Sequence, residues 1–228
     1  MKNDELIWSN HPKNKASQTK HILSQLSLKV RGHQLEIFMR EFKPTSGTKV
    51  LDVGVSPYEE LIDTNYFEKH YAFPKQLTGV GVEDCSAIKA KYPLMTVIHS
   101  PAGAALPFSD GHFDIATSWA TLEHVGDYEK QMFFLRECLR VGKQAFLTVP
   151  YRGCIYEPHA GVFFLHWLPL TAFRWICKKA GKAFWSEVAN LNPLYIRDIK
   201  RMIGTENIEI RLYRMFGFLD SHLLIIKK

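Results

Sequence analysis

From Thr19 to Phe42 apolar residues recur at helical spacing, at Ile22, Leu23, Leu26, Val30, Leu35, Phe38, Met39 and Phe42. This predicts one amphipathic helix, or two broken at Gly32. The polar stretch before it, residues 1 to about 18, reads as a loose leader. Pro44-Thr45-Ser46-Gly47 is a turn. Short apolar runs then alternate with helical patterns. Strands are expected at Lys49–Val53, Leu77–Val82, Met95–His99, Phe113–Ser118 and Gln144–Val149, with helices around Tyr58–His70, Ser86–Tyr92 and Asp127–Val141 between them. Such alternation implies β-α-β units and a mostly parallel sheet.

After Pro150 the pattern changes. Tyr151 to Pro169 is rich in aromatics, His and Pro and reads as a long loop or lid. Phe163, Phe164 and Trp167 either form an apolar lid or pack the helix that follows. Helices are expected at about Leu170–Ala180 and Pro193–Met202. Two final strands, Ile208–Arg214 and His222–Ile226, are joined so closely that they must pair antiparallel, since a parallel crossover needs more chain.

The chain has 228 residues, the length of one large domain. Residues 1–228 therefore read as a single domain with an N-terminal helical segment, 19–43, and a lid or substrate insertion, 151–205. The net charge of +6 is modest and scattered. No arginine-rich run or basic stripe interleaved with aromatics is present, so nucleic acid is not the expected partner. The cysteines, Cys85, Cys138, Cys154 and Cys177, form no Cys-x-x-Cys pair. With no secretory signal at Met1–Lys20, this predicts reduced thiols in the cytoplasm. The longest apolar stretch, Gly161–Leu170, is too short for a membrane span, although peripheral association stays open.

Candidate chemistry begins at Lys49-Val50-Leu51-Asp52-Val53-Gly54. Ligands bind doubly wound sheets at the carboxyl ends of strands, and glycine there lets the backbone approach them. An acid just before it suits a cationic amino group. The dinucleotide pattern Gly-x-Gly-x-x-Gly is absent, because the chain continues Val55-Ser56-Pro57. Downstream come Leu106-Pro107-Phe108, then Phe113-Asp114, then Leu122-Glu123-His124-Val125, and finally Arg140-Val141-Gly142-Lys143 before the fifth strand.

This ordered series resembles the class I S-adenosylmethionine (SAM)-dependent methyltransferases of the ubiquinone/menaquinone-biosynthesis type, firmly over about residues 45 to 150. Asn65-Tyr66-Phe67-Glu68, Gly81 to Ser86 and Glu157-Pro158-His159 to Pro169 look like a bacterial subgroup associated with polysaccharide and cell-envelope gene clusters. The resemblance implies an α/β fold: a doubly wound, Rossmann-like, mostly parallel seven-stranded sheet with an antiparallel last strand. It also implies SAM as cofactor and methyl transfer to a small acceptor, at oxygen on a sugar, polysaccharide precursor or related metabolite. The departures from the motif keep a non-catalytic binding protein on this fold as an alternative, and a nicotinamide-dependent oxidoreductase is a third.

Carried over by position, Asp52, Val53, Gly54, Val55 and Ser56 would hold the methionine part of SAM, although Val55, Ser56 and Pro57 stand where further glycines are usual. Gly81 occupies the place of the acid that binds both ribose hydroxyls, so Glu83 or Asp84 would take that role. Asp84 is equally placed to cap the next helix. Ala102 replaces an adenine-contacting acid, which leaves backbone groups of Ala102, Gly103 and Ala104. Ser118, Trp119 and Ala120 would lie beside the methionine end, with Trp119 equally readable as a core aromatic. His159 is the first candidate for a general base, with His124 the second. A divalent-metal site on the Glu123-His124 pair would want another acid three residues earlier, where Ala120 stands, so no metal is expected.

Overall fold

A computed structural model describes residues 18–59, 62–205 and 207–228, with side chains from Ser24 onward. The polar leader lies outside the described residues. Nine strands and six α-helices follow in chain order: α1 (Gln18–Phe42), β1 (Val50–Val53), α2 (Tyr66–His70), β2 (Leu77–Gly81), α3 (Ser86–Lys91), β3 (Thr96–His99), β4 (Phe113–Trp119), α4 (Tyr128–Val141), β5 (Gly142–Pro150), β6 (Tyr156–Glu157), β7 (Val162–Phe163), α5 (Leu170–Lys179), α6 (Ile196–Ile203), β8 (Glu209–Met215) and β9 (Leu219–Lys227).

Seven strands form one sheet in the order β3-β2-β1-β4-β5-β9-β8. β1 pairs in parallel with β2 and β4, and β9 runs antiparallel to β5 and β8. The chain leaves β1 in one direction for β2 and β3 and returns on the other side through β4 and β5. The order therefore reverses between β1 and β4, where such sheets open a crevice at their carboxyl ends. This is the expected doubly wound sheet with its antiparallel last strand.

The strands form where apolar runs are continuous because both faces are covered. All of β1 is buried. One face packs on α4 and α6 through Leu51, Leu135, Leu139, Leu147, Ile199 and Met202. The other packs on α1, α2 and α3 through Val30, Phe38, Phe67, Ile88 and Phe146. Each such side chain contributes about 1.5–3 kcal/mol by leaving water. α4 begins at Asp127, whose carboxylate accepts from the Lys130 amide at 3.0 Å, an N-cap that satisfies an otherwise open donor.

Three details differ from expectation. α1 runs unbroken through Gly32. That glycine instead makes room for a neighbour, since a Cβ there would stand 3.1 Å from the Tyr66 hydroxyl oxygen. The helix expected over Tyr58–His70 is only α2, and the preceding loop is tied by Asn65, a left-handed residue with φ 50°. Its amide donates to Ser56 O at 2.7 Å and accepts from Ser56 N at 3.1 Å. Lastly, Phe163, Phe164 and Trp167 do not pack into a core, being 62%, 51% and 44% exposed.

The insertion after β5 carries the two-stranded ribbon β6–β7 and its own small core of Ala160, Phe173, Cys177, Trp185 and Leu191. Polar bonds fasten it to the sheet domain. Asn192 N donates to Glu123 O at 2.7 Å, Gln131 Nε2 donates to the Asn192 main-chain O at 2.8 Å, and Asn192 Nδ2 donates to Gln131 Oε1 at 2.9 Å. All four cysteines are free thiols. Among the described residues no helix is long and apolar enough to cross a membrane.

Candidate active site

A cavity of about 440 Å³ opens where β1, β2 and β4 end, a size that admits a nucleoside-sized ligand with room beside it. Of the residues singled out in the sequence, Asp52, Val53, Gly54, Val55, Ser56, Glu83, Ala102, Gly103, Ala104, Trp119, Ala120, His124 and His159 all line it. Ser118 and Asp84 are not on its wall. Ser118 is buried and donates to Val53 O at 2.7 Å, tying β4 to β1. Asp84 is exposed and accepts from the Ser86 amide at 2.9 Å in the turn before α3, whose N-cap position is Cys85.

The loop after β1 is shaped by Gly54. Its amide and that of Val55 both donate to Val80 O, at 2.8 and 3.1 Å. Gly54 has φ +117°, and a Cβ would stand 2.2 Å from Thr121 Oγ1, so only glycine fits. The loop lacks the later glycines of its motif and is held instead by the Asn65 side chain. Gly81 has an equally physical cause. A Cβ there would meet Val55 O at 2.8 Å, so no acid fits that slot, and Glu83 two residues on is the carboxyl that reaches the cavity wall.

Asp52 is buried and accepts from Thr117 Oγ1 at 2.8 Å. Burial, and then the neighbouring Glu68 carboxyl, push the Asp52 pKa well up. Sequence reasoning missed two residues of this cavity. Glu68 on α2 lines the cavity, and its Oε1 is buried with no hydrogen-bond partner among the described residues. Arg31 on α1 also lines it, with Nη1 buried and equally unpartnered, and Nε 4.0 Å from Asp63 Oδ2. On a helix, a charged position reads as solvent-facing; only the fold turns these two inward. A cationic donor and a carboxyl acceptor left open on the wall of a cavity complement a zwitterion. The ammonium and carboxylate of SAM's methionine moiety fit that demand.

The same cavity is lined by His124 and His159. The His124 Nδ1–H donates to Asn190 O at 2.6 Å, and the His159 Nδ1–H donates to Glu157 Oε1 at 2.6 Å. Glu157 also accepts from the amides of His159 at 3.2 Å and Ala160 at 2.5 Å. The two Nε2 atoms therefore face each other at 3.1 Å. Burial works against a charged His159, but the Glu157 carboxylate outweighs it and raises its pKa. Glu123 is fully buried behind the pair, and burial pushes its pKa up to about 7. Trp119 takes both of its expected roles: it lines the cavity and stacks on Phe67 at 5.0 Å in the core.

The Leu106-Pro107-Phe108 segment is fixed by Arg140, which donates to Phe108 O at 2.7 Å, Leu106 O at 3.0 Å and Glu137 Oε2 at 2.7 Å. The arginine before the fifth strand thus has a structural role.

Comparison with known proteins agrees with this geometry. The family described as "Methyltransferase domain" matches residues 62–145. No curated protein sequence matches the chain. Among solved structures, the magnesium protoporphyrin IX methyltransferase of Synechocystis PCC 6803 with bound SAH is 11% identical, with 94% of this chain and 89% of that one covered and a TM-score of 0.55. A SAM dependent methyltransferase from Archaeoglobus fulgidus is 15% identical over 93% of this chain and 100% of that one, with a TM-score of 0.54. A SAM-dependent methyltransferase from Methanosarcina mazei is 12% identical over 84% and 96%, with a TM-score of 0.51. These likenesses are likenesses of fold. The methyltransferase domain match over residues 62–145, set on that fold, supports a SAM-dependent methyltransferase.

Proposed function

We propose that this methyltransferase acts on a hydroxyl oxygen of a small polar metabolite, such as a sugar or polysaccharide precursor. The observation that carries the proposal is one cavity lined both by the charged groups Arg31, Asp52 and Glu68 and by the His124–His159 pair. SAM supplies an electrophilic methyl on a sulfonium: the acceptor oxygen forms the new C–O bond while the C–S pair returns to sulfur, giving S-adenosylhomocysteine.

The chain's own residues do the rest. Arg31 holds the methionine carboxylate, and Asp52 with Glu68 holds the ammonium. The Gly54 loop lies against the methionine part, Glu83 takes the ribose hydroxyls, and the backbone of Ala102 to Ala104 faces adenine. Seating the donor this way places its methyl toward the histidine pair, and positioning of this kind supplies much of the rate of a bimolecular transfer. The hydroxyl proton leaves at the His124–His159 pair, where Glu157 keeps His159 in the tautomer with its Nε2 lone pair toward the cavity.

Calorimetric titration with SAM tests the donor site. Arg31→Met is expected to weaken binding about 10- to 100-fold, the worth of a charge-assisted bond, with the melting temperature of the ligand-free protein nearly unchanged. Equal affinity in the variant and the wild type would remove Arg31 from the site. A screen of hydroxyl, amine and thiol acceptors, read by S-adenosylhomocysteine release, tests the acceptor atom. Turnover with amines or thiols alone would overturn the oxygen assignment.

A further inference from the structure

We propose that Glu123, His124 and His159 bind one divalent transition-metal ion at the cavity wall. The ligand atoms, the Glu123 carboxylate and the two Nε2 atoms, lie within 4.8 Å of one another. Both Nδ1 atoms are committed as donors, to Asn190 O and to Glu157 Oε1 at 2.6 Å each, so each neutral ring presents its Nε2 as an acceptor. Two acceptors facing each other at 3.1 Å repel unless something positive lies between them. Outer hydrogen bonds from the second ring nitrogen to a carbonyl and a carboxylate are what metal-binding histidines make.

A proton shared between the rings would relieve that contact but not the third group. Glu123 is fully buried, and neither of its oxygens has a hydrogen-bond partner among the described residues. Its Oε1 is 3.7 Å from His124 Nε2, beyond hydrogen-bond reach whichever atom carries a proton. A dication answers all three groups at once. With metal–nitrogen distances of about 2.05 Å, nitrogens 3.1 Å apart subtend about 100° at the ion, close to tetrahedral. At tetrahedral angles two ligand atoms on one such ion stand about 3.4 Å apart, so seating it draws the widest pair of the cluster in by about 1.4 Å.

Two imidazoles and a carboxylate suit zinc and its neighbours. The ligand set is not one the motif alone would supply: where an acid three residues before Glu123 is missing, His159 arrives from the insertion. His124 and His159 line the cavity while Glu123 lies behind them, so the position left open faces the acceptor. If the function proposed above holds, that position receives the acceptor oxygen, and an ion there acidifies the hydroxyl in place of a bare imidazole.

The test is metal binding by the full-length chain after treatment with a chelator. Titration with Co²⁺ is followed by its visible absorption, and Zn²⁺ is then added as competitor. One saturable equivalent per chain, displaced by Zn²⁺, is expected. His159→Ala and Glu123→Gln should each weaken Co²⁺ binding about 100-fold or more, and Glu157→Gln, acting through His159, about 10- to 100-fold. SAM calorimetry on the same samples reports that each variant is folded. Absence of saturable Co²⁺ absorption in the wild type overturns the proposal, as does wild-type affinity in either ligand variant. Cobalt binding without SAM binding would uphold the ion site while removing the function proposed above, and SAM binding without cobalt would do the reverse.

Discussion

Replacing Gly54 with alanine tests whether the loop after β1 is built as described. At φ +117° an alanine is strained, and its Cβ would stand 2.2 Å from Thr121 Oγ1, 2.6 Å from Thr121 Cγ2 and 2.8 Å from Thr121 Cβ. Strain of this kind costs about 1–3 kcal/mol, and forcing a methyl into filled space costs about 1–3 kcal/mol more. Taking about 3 kcal/mol as the total, the melting temperature of a chain this size should fall by about 6–12 °C. The loop must also move away from Thr121, into the space the methionine part of the donor would occupy, so SAM affinity should drop about tenfold or more. Circular-dichroism melting and calorimetric SAM titration measure the two effects. Thr121→Ala in the same chain removes two of the three contacts but leaves the backbone strain. A double-mutant cycle should therefore show a coupling of about 1 kcal/mol in favour of the pair. A Gly54→Ala protein that melts within about 2 °C of wild type and binds SAM equally well would refute this account of the loop.

Arg140→Leu should cost about 1.5–3 kcal/mol, read as a lower urea midpoint, because the carbonyls of Leu106 and Phe108 lose a charged donor; an unchanged midpoint would deny that Arg140 fixes this segment. Glu41 is held down to about 2 from its ordinary 4.5 by hydrogen bonds from Lys228 and Arg211. Its folded pKa lies below its unfolded one, so its stabilisation is present above pH 4.5 and is lost as pH falls toward 2. Glu41→Gln should therefore melt lower than wild type at neutral pH and converge with it across that acid window, and a gap that stays constant with pH would contradict the pairing.

What the sequence revealed follows from how local each signal is. β1, β4, β5 and α4 were legible because their apolar patterns are strong, and the motifs that end them lie within a few residues. The loop carrying Asp52 and Gly54 was found for the same reason. Arg31 and Glu68 were not, since a charge on a helix looks the same whether it meets water or a cavity. Gly32 misled because glycine signals a break as readily as a close approach, and only the Tyr66 ring decides between them. The histidine pair was half legible. Both residues were named as candidates, but their contact joins positions 35 residues apart and depends on how the insertion folds back.

The insertion's separate core has a consequence for how such an enzyme changes over time. Its apolar centre of Ala160, Phe173, Cys177, Trp185 and Leu191 is distinct from the two that clamp the sheet, and the join between that centre and the sheet includes the Asn192 and Gln131 hydrogen bonds. Amide protons inside the insertion should accordingly exchange with solvent earlier than those of β1, β4 and β5, as a unit that opens without unfolding the sheet. The same seam lets substitutions accumulate on the acceptor side, its exposed Phe163, Phe164 and Trp167 included, while the donor half stays fixed. On the function proposed above, inherited variation in what is methylated would then be confined to the piece built around that small core, with His159 its contribution to the cavity wall.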